Sequence, residues 1–296
     1  MRDLKGLILI NAYAPSLRTH QIVRFTQEFE RRGVFVEVKR NDFFPAQVSH
    51  GKIAAHLDHD FCLYLDKDKY LSQMLEASGV RLFNSAKAVA DCDDKMQTHI
   101  ALSDLNIPMP QTMPGLLCYD KTAKIDSSVL DHVERTLGYP VIIKQSYGSL
   151  GKGVFKADDR SALERIANEV KLTSHLFQQY IAESHGKDMR VIVVGGHAVG
   201  GIVRMSDGDF RSNIGLGAHA EKTEVPAEIK ETAERAATAL GLDYCGIDFL
   251  LGKQPLLCEV NSNAFFEAFE QTTGINVAGL YVEHILKTMS KKRTRT

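Results

Sequence analysis

DYCGIDFLLGKQPLLCEVNSN, residues 243–263, places two strand-like runs on either side of a polar turn, Gly252-Lys253-Gln254-Pro255, the composition of a hairpin. In the first run Cys245, Ile247, Phe249 and Leu251 alternate with Gly246, Asp248 and Leu250. In the second, Leu256, Cys258 and Val260 alternate with Leu257, Glu259 and Asn261. Each run therefore has an apolar face, and Asp248, Glu259 and Asn261 occupy the opposite one. With residues 252–255 as the loop, Leu251 pairs with Leu256 and Asp248 stands opposite Glu259. Directly opposed side chains are about 5 Å apart, and like charges there destabilise a sheet. A cation between the carboxylates would resolve the conflict. Two carboxylates and an amide oxygen form an all-oxygen set suited to Mg²⁺ together with substrate phosphates. The alternative is a plain surface hairpin, with one carboxylate protonated or the register slipped.

The 296-residue chain is long enough for two or three compact units. A net charge of −1 removes the electrostatic case for nucleic acid or an anionic membrane. No apolar run reaches the roughly 18–20 residues a membrane span needs, and the opening MRDLKGLILINAYAP reads as a first strand rather than a signal peptide. Cys62, Cys92, Cys118, Cys245 and Cys258 form no CxxC pair, which predicts reduced thiols in a cytoplasmic protein without structural zinc.

Residues 1–83 alternate strand and helix: Leu7–Asn11, a helix carrying Ile22, Phe25, Thr26 and Phe29 and ending at Gly33, Val34–Val38, Phe61–Leu65, a helix over Lys69–Ser78, and Val80–Phe83. Such alternation predicts a parallel sheet with crossover helices. His56 and His59 beside Asp58 and Asp60 read as exposed loop polarity. Asn84-Ser85 caps a helix predicted over Ala86–Leu105, and Ile107-Pro108-Met109-Pro110 ends it as a connector.

The strand Val141–Lys144 leads into Gly148-x-x-Gly151-x-Gly153, and Val154–Ala157 leaves it. Glycines allow close backbone approach, so successive amides can cradle phosphate oxygens. Lys152 is followed by Gly153 rather than Ser or Thr, so this is not a Walker A loop. Lys144, among apolar neighbours, calls for an anion, unless only its stem is buried. Arg190 and Arg204 project from the strands Met189–Val194 and Val199–Arg204, and Arg211 lies in the turn 207–213. Arginines on strands beside apolar residues usually face an anion. Amphipathic helices are predicted over Glu228–Leu240 and Val277–Met289, and the basic tail 291–296 reads as a solvated end.

Lys144, GSLGKGV, QQYI, Glu183, Asp188-x-Arg190, Arg204, FRSN (210–213), GIDF (246–249) and EVNSN (259–263), in that order, resemble the ATP-grasp superfamily, and within it the RimK-type α-L-glutamate ligases. FRSN ahead of the carboxylate hairpin is the most specific element. The resemblance implies an α/β (α+β) ATP-grasp fold: an N-terminal parallel α/β pre-ATP-grasp domain (1–84), a connector helix with a small subdomain bearing the glycine flap (85–182), and a C-terminal subdomain bearing the carboxylate hairpin (183–296). It further implies ATP between the subdomains. Lys95, Lys144 and the flap residues Gly148, Ser149, Gly151 and Gly153 would lie at the phosphates. Gln178, Gln179, Tyr180 and Ile181 would line the adenine, with Glu183 at the ribose. Asp188, Arg211, Ser212 and Asn213 would make further nucleotide and substrate contacts, and Asp248, Glu259 and Asn261 would bind Mg²⁺, as two ions, with Mn²⁺ as a substitute.

The activity implied is ligation of a carboxylate to an amine through an acylphosphate, with Arg190, Arg204 and Arg211 as the catalytic cations. The partners implied are an amino acid and an amine or carboxylate acceptor, either a small molecule or a protein terminus, and a dimeric or tetrameric homo-oligomer. The chain departs from the family pattern at Gln179 (usually Glu), at Gly215-Leu216 (usually His-Arg) and at Ala264-Phe265 (usually Pro-Gly). The second departure removes a cation from the acceptor side, and the third changes the loop near the phosphates. Two other readings remain: a nucleotide-binding regulatory protein without turnover, and a D-alanine–D-alanine ligase.

Overall fold

The computed structural model describes residues 4–13, 18–149 and 151–293. The chain opens with β1 (Gly6–Ile10), α1 (Arg18–Glu30), β2 (Val36–Arg40), the hairpin β3 (Ala46–Ser49) and β4 (Lys52–Ala55), β5 (Phe61–Leu65), α2 (Lys69–Ala77) and β6 (Arg81–Phe83). Apart from the hairpin these strands form a parallel sheet in the order β2-β1-β5-β6, as the alternation predicts. Nothing in the sequence pattern announces the hairpin, because its paired residues Val48 and Ile53 are both exposed.

The helix expected over Ala86–Leu105 is broken into α3 (Ala86–Asp93) and α4 (Lys95–Leu102), with a 3₁₀ turn after it. The physical reason is Asp94. It is extended at φ −93° and ψ 109°, and its carboxylate accepts from the amides of Met96 and Gln97, an N-cap that competes with continued helix. Restarting the helix there buries Lys95 and ties its amide to Ser146 O at 3.0 Å.

Next come β7 (Thr112–Pro114), α5 (Ser127–Leu137), β8 (Val141–Gln145), β9 (Val154–Ala157), α6 (Arg160–Val170) and β10 (His175–Gln179). They build an antiparallel sheet ordered β7-β10-β8-β9. Val141, Ile143 and Phe177 pack with Leu130 and Val133 of α5 and Leu163 and Ile166 of α6. By the strand's period of two, Ile142, Lys144 and Gln178 turn to the other face.

The last part comprises β11 (Lys187–Val194), β12 (His197–Met205), β13 (His219–Thr223), α7 (Ala227–Ala239), β14 (Tyr244–Leu250), β15 (Leu256–Asn261), α8 (Glu267–Thr273) and α9 (Val277–Arg293). Its five strands run β13-β12-β11-β14-β15, all antiparallel. Met189, Val191, Cys245, Ile247, Phe249, Leu257 and Val260 form one face, covered by Ile229, Ala233 and Ala236 of α7. The opposite face changes character along its length. Ile192, Val194 and Ile202 pack with Tyr281 and Ile285 of α9 and with Phe25, Phe61 and Phe83 of the N-terminal sheet in one core, whereas Asp188, Arg190, Arg204, Asp248 and Glu259 line a cleft.

The β14–β15 register corrects the expected one. Leu250 pairs with Leu256 and Phe249 with Leu257, and a bulge then restores Asp248 opposite Glu259. The extra residue moves Leu257 into the core and turns Cys258 toward the cleft. The basic tail is also corrected in part: α9 continues through Arg293, and residues 294–296 lie outside the described residues.

Asn84 joins the first and third sheets. Its Nδ2 donates to Tyr244 O and Ser262 O, both at 2.7 Å, and its Oδ1 accepts from the amides of Asp243 at 2.6 Å and Tyr244 at 3.0 Å. Asn84→Ala leaves these backbone groups buried without partners and is expected to lower unfolding free energy by about 3 kcal/mol. Asn84→Asp, which keeps the acceptor but turns a carboxylate oxygen toward the carbonyls of Tyr244 and Ser262, is expected to lose at least as much. Urea unfolding measures both, and a loss below about 1 kcal/mol for the alanine variant would show that the junction does not depend on this side chain.

Candidate active site

The cleft, about 570 Å³, lies between the two antiparallel sheets and reaches the N-terminal sheet. Its polar wall follows from strand register. Asp188 pairs with Arg204, Arg190 with Asp248, and Asp248 in turn with Glu259. Arg190 holds Asp248 in a bidentate pair, both contacts at 2.7 Å. Arg204 holds Asp188, with Nε donating to Oδ1 at 2.7 Å, and its Nη2 also lies 3.0 Å from Asp248 Oδ2. The like charges of Asp248 and Glu259 are thus offset by guanidinium groups on the other side of Asp248. Burial alone would push Asp248 up, but the charges of Arg190 and Arg204 and their hydrogen bonds together hold it below the usual carboxylate range. Asp188 shifts the other way, raised chiefly by burial and also by the neighbouring Asp248 charge, which Arg204 only partly offsets.

The glycine loop, residues 146–153 with Leu150 outside the described residues, is tied down from two sides. Lys95 Nζ donates to Gly148 O at 3.0 Å, and Arg211 Nη1 donates to Gly151 O at 2.8 Å while Asp209 grips the same guanidinium. Gly153 needs its missing side chain: at φ +73° a Cβ would stand 2.5 Å from Gln145 Oε1. Lys144 Nζ reaches Cys258 Sγ at 3.3 Å. Burial pushes the Cys258 thiol up, so the buried ammonium faces a neutral sulfur rather than the anion its sequence context calls for.

Of the residues singled out from sequence, Lys95, Lys144, Gly148, Ser149, Gly151, Gln178, Gln179, Tyr180, Ile181, Asp188, Arg190, Arg204, Arg211, Ser212, Asn213, Asp248, Glu259 and Asn261 all line this cleft. Gly153 sits at the base of the loop, and Glu183 is exposed in the 3₁₀ turn Ala182–Ser184; neither is among the lining residues, and Ser184 lines the cleft beside Glu183. Near Gln178–Ile181 the wall also includes Ile142, Val154 and Leu250, an apolar end.

Residues missed from sequence close the other end: His20, Gln21, Lys67, Glu267 and Gln271. The sheet order supplies the signal that could have found Lys67. The chain turns one way after β1 and the other after β5, so the crevice beyond their carboxyl ends is a topological switch point, where α/β sheets bind ligands. Of the departures, Gln179, Gly215, Ala264 and Phe265 line the cleft, and Ala264 also packs against Gly246, where a Cβ would lie 2.7 Å from its own.

The donor set at Asp248, Glu259 and Asn261 is all oxygen, and the Asn261 amide lies 3.5 Å from Asp248 Oδ2. Glu259 is only partly buried, with Lys95 Nζ at 3.8 Å. Among the described residues no group of three or more His, Cys, Asp or Glu forms a ready metal cage. Both Asp248 oxygens are engaged by Arg190 and Arg204, so Glu259 and Asn261 supply the accessible oxygens, a set that fits a hard cation completed by a bound phosphate and water, as Mg²⁺ commonly is.

Two antiparallel sheets closing on a cleft beneath a glycine loop define the ATP-grasp fold. The structure of the ATP-grasp ligase PsnB complexed with a phosphomimetic variant of minimal precursor, Mg and ADP superposes with a TM-score of 0.68 at 19% identity, covering 97% of this chain and 99% of that one. Residues 92–285 match the RimK-like ATP-grasp domain, and the chain belongs to that family. Human N-acetylaspartylglutamate synthase A is 35% identical over 233 residues, covering 77% of this chain and 58% of that protein. A probable alpha-L-glutamate ligase of Maridesulfovibrio salexigens is 32% identical over 228 residues, covering 76% of this chain and 73% of that protein. The chain spans 56% to 60% of the length of the synthases it matches.

Behind the wall, the Gln178 amide donates to Thr112 Oγ1 at 2.9 Å and lies 3.2 Å from His99 Nε2. Burial, and then the charge of Lys144, hold His99 down at about 4. A histidine depressed in the folded state contributes stability that is complete above its unfolded value near 6.5 and is lost as pH falls from there toward 4. Unfolding free energy is expected to drop by up to about 3 kcal/mol over that window. His99→Gln should flatten this part of the profile, and an equal slope in the variant would show that the charge of His99 is not its cause.

Proposed function

We propose that this chain is an ATP-dependent carboxylate–amine ligase that joins glutamate or a related amino acid to a carboxylate acceptor, a small metabolite or a protein terminus, through an acylphosphate. The observation that carries this reading is the convergence of Lys95, Lys144, Arg190, Arg204 and Arg211 on one cleft beside the oxygen donors Glu259 and Asn261. Phosphoryl transfer and acyl substitution demand positioned positive charge rather than a side-chain nucleophile. The names of the relatives, a synthase of N-acetylaspartylglutamate and a probable glutamate ligase, support glutamate as the amino acid.

An acceptor carboxylate oxygen attacks the γ-phosphorus of ATP. The bond to the ADP oxygen breaks, leaving an acylphosphate. The amine nitrogen of the amino acid then attacks the acyl carbon, inorganic phosphate departs with the C–O bonding pair, and the nitrogen loses its proton to yield the amide. Lys95 and Lys144 receive the phosphates under the amides of the glycine loop, and the apolar end at Ile142, Tyr180 and Ile181 takes the base, with Glu183 at its rim near the ribose. Arg190 and Arg204, held in fixed orientations by Asp248 and Asp188, present guanidinium N–H groups to the acylphosphate and the oxyanion without reorganising when charge develops. Arg211 links loop closure to the same site through Gly151 O. Mg²⁺ or Mn²⁺, as two ions held by Asp248, Glu259 and Asn261, would neutralise the phosphate charge.

Release of ADP, measured with Mg²⁺ and ATP across a matrix of amino acids and carboxylate acceptors with products read by mass, tests the proposal. A signal that requires one amino acid and one acceptor, with a product lighter by one water than their sum, is expected. Asp248→Asn and Glu259→Gln are each expected to lower turnover by about 100-fold or more with circular dichroism unchanged. ATP binding without ADP release under every combination would favour the regulatory reading, and wild-type turnover in both variants would overturn the metal assignment.

A further inference from the structure

β2 is the edge strand of the parallel sheet, and among the described residues no strand pairs with its outer side, since β3 and β4 pair only with each other. The phase of that edge follows from a single contact, the Gly6 amide donating to Phe35 O at 3.3 Å. With Gly6 partnered to Val36, a parallel ladder directs the backbone groups of Glu37 inward to β1, with Phe35 O and the Lys39 amide. The amides and carbonyls of Val36 and Val38, and the amide of Arg40, point outward.

The geometry points to an isologous dimer in which β2 pairs antiparallel with β2 of a second copy, about a two-fold axis at Val38. The outward groups then form the hydrogen-bonded pairs: Val38 against its own copy and Val36 against the partner's Arg40. Glu37 and Lys39 fall at the non-hydrogen-bonded positions, where side chains approach most closely. Each Glu37 stands opposite the partner's Lys39. Val-Glu-Val-Lys-Arg is therefore charge-complementary to itself in this register, and moving the axis to Glu37 or Lys39 would oppose like charges.

Glu37 and Lys39 already share one face of β2, 2.9 Å apart and each about 40% exposed (40% and 38%), so they are placed to extend into a four-membered charge cluster across the axis. Charged residues on an edge strand commonly serve to repel other chains. Here, however, exposed aromatic side chains flank the strand along the chain: Phe35 is 78% exposed and Phe44 79%. Such groups at a protected edge would undo the protection, whereas a second copy on the same edge gives them cover.

Sedimentation equilibrium of the full chain tests the pairing. Wild type is expected to dimerise, Lys39→Glu to raise the dimer dissociation constant about tenfold or more, and the double exchange Glu37→Lys with Lys39→Glu to restore it. Hydrogen exchange gives an independent reading on the wild-type chain. The amides of Val36, Val38 and Arg40 should lose protection on dilution, while those of Glu37 and Lys39, bonded within the sheet, should not. A chain monomeric at every concentration, a dimer indifferent to Lys39→Glu, or edge amides whose exchange ignores dilution would each overturn the proposal.

Discussion

Asp248 is where the constraints of this molecule meet. It is buried, lies opposite another carboxylate, and sits on a strand whose alternate residues pack into the core under α7. A lone buried carboxylate there would cost several kcal/mol or take up a proton. Arg190 and Arg204 prevent both, and each is placed by register rather than by loop conformation. The order of β12, β11, β14 and β15 is therefore also the order of a charge ladder, and shifting one strand by a residue would turn its charges into the α7 core.

The same sheet face explains how the cleft is held against the N-terminal sheet. Toward one end it carries Ile192, Val194 and Ile202, which merge with Phe25, Phe61, Phe83 and the helix α9 into a single core. Toward the other it carries the charge ladder. Apolar packing thus fixes the first sheet beside the third, and the carboxyl ends of β1 and β5 open onto the cleft as a result, bringing Lys67 into its wall. The glycine loop of the second sheet reaches the third through Arg211 and the connector through Lys95. Those side chains hold loop carbonyls in the structure described here, so an incoming phosphate competes for cations already engaged in hydrogen bonds.

Much of this was legible in the residues. The strand–helix alternation of the first part, the N-cap at Ser85, the flap glycines and the Asp248–Glu259 pairing all follow from local chemistry, and the structure has them. Other readings failed for identifiable reasons. The bulge at Cys258 leaves no mark in an apolar run where Leu256, Leu257 and Cys258 are interchangeable by hydropathy. The break at Asp94 is hidden because an aspartate within a helical pattern caps a new helix only if the chain bends there. The partner of Lys144 could not be foreseen either, since Cys258 faces it only once the bulge has turned the thiol.

The sequence by itself determined which residues carry charge on strands otherwise apolar, and that Asp248 on one run and Glu259 and Asn261 on the next each lie opposite that run's apolar face, because side-chain alternation in a strand is a property of the backbone alone. Only the tertiary structure decided which charge meets which. It set Asp188 and Asp248 against arginines while leaving Glu259 opposite Asp248 and near Lys95, and it added His20, Lys67 and Glu267 from distant segments to the same cleft. Pairing across strands and sheets depends on register and on the packing of one core against another. Neither is written in any local stretch of the chain.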